Sequence, residues 1–145
     1  MHQKPFTATI TVPQSPAEVF AAVNDVRAWW TGKIDGPTDA LNAEFTYRYE
    51  DFHRTTQKIT ALEPGKRIVW TVTDAKLPHF ENPDEWNGTQ IEFRITRAGE
   101  QTRLDFTHHG LDPSCQCYGD CSDAWTFFVT KSLESLIITG KGVAP

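Results

Sequence analysis

Hydrophobic and polar residues alternate along most of the chain, which is the pattern of strands with one buried face. In the first run, Phe6, Ala8, Ile10 and Val12 alternate with threonines. Five later runs repeat the pattern, at 45–49, 53–62, 68–72, 91–95 and 104–108. Strands of this kind form an antiparallel sheet with one covered face and one solvated face.

Two short helical segments are predicted after the first strand. Ser15 and Glu18 have the spacing of a capping box, and Pro16 would occupy the first helical position. The pattern predicts a short helix that ends near Asn24, followed by another turn at 27–31.

The stretch from Cys117 to Gly142 predicts one long helix with aromatic residues in its first half. It completes the order β-α-α-β-β-β-β-β-α, and no other long element is left to cover the sheet. We therefore predict an α+β fold in which a curved antiparallel sheet wraps around the C-terminal helix. A sheet closed by one aromatic-rich helix tends to trap a pocket, so a small-ligand site is expected between them.

Composition indicates one domain over residues 1–145 and narrows the choice of partners. Hydrophobic content is 39%, charged residues make up 23%, and the net charge is −5. The negative charge argues against a nucleic-acid or anionic-membrane surface. The sequence has no apolar run long enough for a membrane span and no signal-peptide core, so it predicts a cytoplasmic location.

Nine residues are the candidates for binding a hydrophobic small molecule. Large rings from the strands would face the helix, and a few hydroxyl or imidazole groups would anchor the ligand. The alternative is that the rings simply fill the core. The candidates are Trp30, Phe45, Tyr47, Trp70, Phe93, His108, Trp125, Phe128 and Ser132.

Three tryptophans, Trp29, Trp30 and Trp86, occupy predicted helix-end or loop positions. We expect them to form an exposed partner surface or to gate the cavity, with at least one of Trp29 and Trp30 in the core. Residues 75–88 form a predicted irregular insertion, of which 76–86 would act as a flap.

His108 is the candidate for acid–base catalysis. It is expected to point inward, where Tyr47, Tyr49, Glu44 or Asp74 would supply a proton-transfer partner. The alternative is a histidine held by interior hydrogen bonds. The sequence has no nucleophile elbow and no phosphate-binding glycine loop, so no cofactor is expected.

The cysteines, together with His108 and His109, are the candidates for a metal site. Cys115, Cys117 and Cys121 have a C-x-C-x3-C spacing, which differs from the paired spacing common in structural zinc sites. His108 and His109 also point to opposite faces of one strand. We therefore predict no metal and reduced thiols, with a redox role for Cys121 in the first helical turn as the alternative.

Several motifs resemble a known superfamily. They are the segment from Pro16 to Phe20, the Trp29-Trp30 pair, and the ending with Trp125, Ser132-Leu133 and Thr139-Gly140-Lys141-Gly142. In this order they resemble the SRPBCC superfamily over the whole chain, and within it the proteins similar to the activator of Hsp90 ATPase (AHSA1-like). The resemblance implies a helix-grip fold, as in START and birch-pollen-allergen-like domains, usually with an apolar cavity.

The resemblance leaves three functions open, because the superfamily includes ligand carriers, polyketide cyclases, hormone receptors and co-chaperone domains. The leading prediction is a non-catalytic domain that binds a hydrophobic or aromatic small molecule. The first alternative is a cyclase or dehydratase that uses His108. The second is a chaperone-associated adaptor, whose partner would be a protein such as a chaperone or a second copy of the chain.

Overall fold

The computed structural model describes residues 4–50, 53–78 and 83–144. Seven antiparallel strands form one sheet in the order β1-β7-β6-β5-β4-β3-β2. Their bounds are β1 Phe6–Val12, β2 Lys33–Asp35, β3 Glu44–Tyr49, β4 His53–Glu63, β5 Arg67–Lys76, β6 Gln90–Ala98 and β7 Gln101–His109. The predicted antiparallel sheet with one helix against it is confirmed.

Clear capping signals mark the start of the first helix and the end of the last one. Helix α1 (Pro16–Asn24) begins at Ser15, whose hydroxyl accepts a hydrogen bond from the Glu18 backbone N–H at 3.2 Å. Helix α2 (Val26–Trp29) follows at once. The C-terminal helix comprises α3 (Tyr118–Phe127), a π-helical segment (Phe128–Leu133) and α4 (Glu134–Thr139). It ends at Gly140, which adopts the left-handed conformation that favours glycine.

The sheet is bent by two irregularities between β4 and β5. The register shifts between Thr56 and Gln57, and again between Ile59 and Ala61. Such bulges bend a strand and increase its twist, so they curve this part of the sheet. The inward residues of β3 to β7 are buried together with helix residues such as Trp125, Val129 and Leu133. The core therefore lies between the sheet and the C-terminal helix.

Three details differ from the sequence prediction. The short edge strand β2 was not predicted, because its three residues carry no alternation that a pattern can register. Strand β5 runs on to Lys76, two residues into the predicted insertion. The C-terminal helix begins at Tyr118 and ends at Thr139, and a π-helical turn interrupts it. Among the described helices, none is both long and apolar enough to cross a membrane.

Candidate functional site

Aromatic rings from the sheet, from α2 and from the C-terminal helix meet in the interior, and we call this region the aromatic chamber. Trp30 is central to it. Its ring lies 3.8 Å from the ring of Tyr47, nearly parallel, and 4.9 Å from that of Trp125. The other rings of the chamber are those of Trp29, Phe45, Trp70, Trp86, Phe93 and Phe106.

Six of the candidate ligand-binding residues are therefore brought together. Trp70 stacks on both Trp29 and Trp30, with centroids 6.3 and 6.0 Å apart. Phe45 and Phe93 approach the Trp70 ring edge-on, at 5.0 and 4.9 Å. These are favourable geometries for aromatic pairs, each worth about 0.5–1.5 kcal/mol beyond area burial. The rings thus contact one another as well as facing the predicted site.

Ser132 does not act as a free polar anchor. Its hydroxyl donates to the Trp29 carbonyl at 2.7 Å and accepts from the Val143 backbone N–H at 3.0 Å. These bonds tie α2 and the C-terminal tail to the helix. The tail also passes so close to α2 that a Cβ on Gly142 would lie 2.1 Å from the Ala28 carbonyl oxygen. The hydroxyl of Ser132 is used by the fold.

Phe128 lies at the start of the π-helical segment. Its one ring contact among the described residues is with Phe127, at 5.5 Å. The sequence pattern placed Phe128 on the same helical face as Trp125, and its side chain is buried in the same core. Among the described residues, its ring nevertheless contacts no ring of the chamber.

His108 is fully buried and hydrogen-bonded at both ring nitrogens. Trp125 Nε1–H donates to Nδ1 at 3.1 Å, so the proton of the neutral ring belongs on Nε2. Nε2–H then donates to the Thr89 hydroxyl at 2.9 Å, and this hydroxyl donates to the Trp86 carbonyl at 2.7 Å. Every donor in this series of hydrogen bonds has an acceptor.

The electrostatics keep His108 neutral. Burial, helped by His109 and His53, lowers the pKa of His108 to about 3. Its hydrogen-bond partners are Trp125 and Thr89, whereas the sequence suggested a tyrosine or a carboxylate. Tyr47 is also committed, since its hydroxyl donates to the Thr31 carbonyl at 2.6 Å and burial raises its pKa. The geometry therefore matches an interior histidine held by hydrogen bonds.

The prediction of an exposed tryptophan surface is wrong, but the expectation that at least one of Trp29 and Trp30 lies in the core is confirmed. Trp29, Trp30 and Trp86 are all buried, with exposures of 0%, 3% and 3%. Trp86 reaches inward from the loop before β6, and its ring lies 4.6 Å from that of His108 and 5.9 Å from that of Trp125. A loop position hides this in the sequence, because burial here comes from tertiary packing.

Two hydrogen-bonding atoms beside the chamber are buried without a partner among the described residues. They are the indole Nε1–H of Trp70 and the hydroxyl of Thr31. A buried polar group left unpaired costs roughly 1–3 kcal/mol, and in native proteins such groups usually meet a water or a ligand. The Trp86 Nε1–H lies towards the sulfurs of Cys117 and Cys121, outside the geometry of a full hydrogen bond.

The cysteines lie at the start of the C-terminal helix. Cys117 and Cys121 are buried, Cys115 is partly exposed, and all three are free thiols. A hydrogen bond with Cys117, together with burial, raises the pKa of the Cys121 thiol. Within 4–50, 53–78 and 83–144, no group of three or more His, Cys, Asp or Glu side chains is arranged to hold a metal ion.

Sequence reasoning missed three residues that shape the chamber. Thr89 holds His108, the backbone and hydroxyl of Thr31 lie beside Tyr47, and Trp86 is packed inside. All three come from loops or strand ends, where no periodicity indicates which way a side chain points. The one available signal in the sequence was Trp86 itself, since a large apolar ring in a loop is often packed against the core.

A curved antiparallel sheet that grips one long helix around an aromatic interior defines a helix-grip protein of the SRPBCC type. The family described as "Activator of Hsp90 ATPase homolog 1-like protein" matches residues 13–137, and the chain belongs to this family. No curated protein sequence matches the chain significantly.

Solved structures support the same fold. The Aha1 dimer from Colwellia psychrerythraea has a TM-score of 0.76 and 25% identity, covering 94% of this chain and 98% of that one. MLL2253 from Mesorhizobium loti has a TM-score of 0.70 and 22% identity, covering 90% and 96%. DynU16, a putative protein in the dynemicin biosynthetic locus, has a TM-score of 0.69 and 20% identity, covering 97% of this chain and 49% of that protein.

Proposed function

We propose that the protein is a non-catalytic binding domain that holds a small, mainly apolar molecule in the aromatic chamber. The observation that carries this proposal is the buried, unpartnered Nε1–H of Trp70 in the middle of the stacked rings. A ligand with a hydrogen-bond acceptor, such as a carbonyl oxygen, would satisfy this donor while its rings or chain replace ring contacts.

The absence of a free proton acceptor at His108 supports binding over catalysis. Its Nδ1 lone pair already accepts from Trp125, and its Nε2–H is already donated to Thr89. A general base needs an open nitrogen within hydrogen-bond reach of the proton it removes. A catalytic His108 would first have to break one of these two bonds.

The test compares two matched tryptophan variants. Trp70→Phe removes the unpartnered N–H, while Trp29→Phe removes an N–H that donates to the Val23 carbonyl at 3.1 Å. Native mass spectrometry and melting shifts with fatty acids, flavonoids and polyketide-like aromatics would first identify a binder. For an acceptor-bearing binder, Trp70→Phe should weaken affinity by about 3- to 10-fold, the value of one hydrogen bond.

Two outcomes would overturn the proposal. One is that no compound class is retained or shifts the melting temperature. The other is that Trp29→Phe weakens a binder as much as Trp70→Phe, since general loosening of the chamber would then explain both effects.

A second candidate is a partner of an Hsp90-type ATPase. The family description and the Aha1 likeness favour it. Stimulation of such an ATPase by the purified protein would be measured directly. This activity should survive Trp70→Phe, because a partner surface does not need an indole N–H inside the chamber.

A further inference from the structure

Four basic residues line up across the outer face of the sheet. Lys33 on β2 lies opposite Arg48 on β3, Arg48 opposite Arg54 on β4, and Arg54 opposite Lys76 on β5. All four are exposed. We call these residues the basic row.

The basic row is electrostatically incomplete. Like charges directly opposite each other on neighbouring strands are destabilising. In the part of the chain that the structure describes, Arg54 alone of the four has a carboxylate partner, Asp74 at 3.7 Å, and both side chains are about half exposed. Exposed pairs of this kind contribute little. The row thus carries a repulsion that a bound anion would relieve.

A surface pocket of about 260 Å3 lies at one end of the basic row. Arg48, Arg54 and Lys76 line it, together with Glu50, His53 and Pro78. Sites for drug-sized molecules enclose about 300–1,000 Å3, so this pocket suits a smaller occupant.

The charge of the pocket favours an anion. Burial lowers the pKa of His53 to about 4, so its ring is neutral at pH 7. Among the described residues that line the pocket, three cations face the carboxylate of Glu50, and Arg54 is also paired with Asp74 at 3.7 Å. The remaining excess of positive charge favours a group such as a phosphate monoester, which carries about −1.5 to −2 at neutral pH. Arginine forks also match phosphate oxygens in geometry.

His53 adds a neutral group to the pocket. Its Nε2 lies 3.1 Å from the Thr55 hydroxyl, while Nδ1 has no hydrogen-bond partner among the described residues. Its ring also packs against Trp86, with centroids 4.8 Å apart, so it is held in place. This packed imidazole gives the pocket one fixed wall.

We propose that this pocket binds the phosphate group of a small, free phosphorylated molecule. A long polyanion or an anionic membrane is disfavoured because the chain as a whole carries a net charge of −5. The pocket shares the His53 ring with the edge of the aromatic chamber. Its cations are exposed, and its test does not use the Trp70 donor, so the two proposals can fail independently.

Calorimetric titration at low ionic strength would test the site with inorganic phosphate, glycerol 3-phosphate and succinate. Arg48→Gln removes the central cation, and Lys58→Gln is the matched control. Lys58 also lies on the outer face of β4, but it is opposite Glu44 in the cross-strand register and lines no part of the pocket. We expect saturable binding of the phosphorylated probe, weakened about tenfold or more by Arg48→Gln and less than about threefold by Lys58→Gln.

A stability measurement keeps the test independent of folding. Without ligand, Arg48→Gln should raise the melting temperature by about 1–3 °C, because it relieves the repulsion in the row. The proposal would be overturned if no saturable binding were seen, or if both variants weakened binding equally. Equal affinity for succinate and glycerol 3-phosphate would show that the pocket does not recognise phosphate. Tight binding of inorganic phosphate alone would show that the ligand is not an organic phosphate.

Discussion

Tyr47 and Arg48 are neighbours on one strand but belong to opposite environments. Inside, Tyr47 stacks on Trp30 at 3.8 Å and donates its hydroxyl hydrogen to Thr31. Outside, Arg48 lies between Lys33 and Arg54 in the cross-strand register. The inner face is completed by its own side chains, except at a few atoms such as Trp70 Nε1, whereas the outer row is left incomplete. In our proposals, the inner arrangement supports stability and offers the Trp70 donor to a ligand, and the outer arrangement offers cations to an anion.

The comparison is tested most strongly by removing a ring from the inner face. Trp70→Ala deletes a fully buried side chain that contacts four other rings. We expect the free energy of unfolding to fall by about 3–5 kcal/mol, because the cavity left behind cannot be filled. Urea denaturation would measure the loss. Tyr49→Ala, at the exposed end of β3, is the control and should change little.

Lowering the pH should also reduce the free energy of unfolding, and the reduction should come mainly from the buried His108. Burial lowers the pKa of His108 to about 3, below the ordinary value of about 6.5. The unfolded chain therefore takes up a proton as the pH falls below 6.5, while the folded chain does not until about pH 3. The stability from a neutral His108 is complete above pH 6.5 and is lost as the pH falls, by about 2 kcal/mol at pH 5.

His53, with a pKa lowered to about 4, adds a slope of the same sign over a narrower range. Urea unfolding between pH 7.5 and 5 would measure both contributions. His108→Gln should flatten the profile by close to one proton. His109→Gln removes an exposed ring that contacts Glu92 at 2.9 Å and only helps to lower the pKa of His108, so it should flatten the profile by less. Parallel profiles for the two variants would contradict the assignment.

A smaller loss in the free energy of unfolding is expected when the Ser132 hydrogen bonds between the helix, α2 and the C-terminal tail are removed. Ser132→Ala leaves the Trp29 carbonyl and the Val143 N–H without their shared partner. We expect a loss of about 1–2 kcal/mol, measured by chemical denaturation. Ser135→Ala is a matched change one turn away, where an exposed hydroxyl donates to the Lys141 carbonyl at 2.7 Å. If both variants lose the same free energy of unfolding, the buried Ser132 hydrogen bonds contribute no more to stability than the exposed one of Ser135.

Changes on the outer face should have the smallest effect on stability, and removing a charge there should stabilise the protein rather than destabilise it. Salt screens exposed charges, so added NaCl should raise the melting temperature of the wild type more than that of Arg48→Gln. The difference is expected to be about 1–3 °C. Differential scanning fluorimetry across a salt series would detect it. An equal response of both proteins would show that the row does not repel itself measurably.

The inner face was largely predictable from the sequence. Alternation assigns Phe45, Tyr47, Trp70 and Phe93 to the buried side, because side chains in a strand point to opposite faces in turn. The order of the strands before one long helix then predicted the grip. Neither step requires a contact between distant residues to be known in advance.

What the sequence patterns could not show has a common physical origin. Ser132 was assigned to the ligand, but its partners lie on α2 and in the tail, which a helix pattern cannot identify. The buried state of Trp86 depends on a loop that folds over the core. The basic row was equally invisible, since its four residues are scattered in the chain and meet only through cross-strand register.

The π-helical segment has a consequence for comparing this chain with its relatives. A π turn holds one residue more than an α turn, and each residue in an α-helix rotates the next by about 100°. Removing one residue between Phe128 and Leu133 would restore regular winding and keep the buried Ile137 on the side that Trp125 occupies, whereas regular winding without the deletion would swing Ile137 away by about 100°. An alignment across this helix should therefore open a single-residue gap for relatives with a regular α-helix, or every position after it is matched to the wrong face.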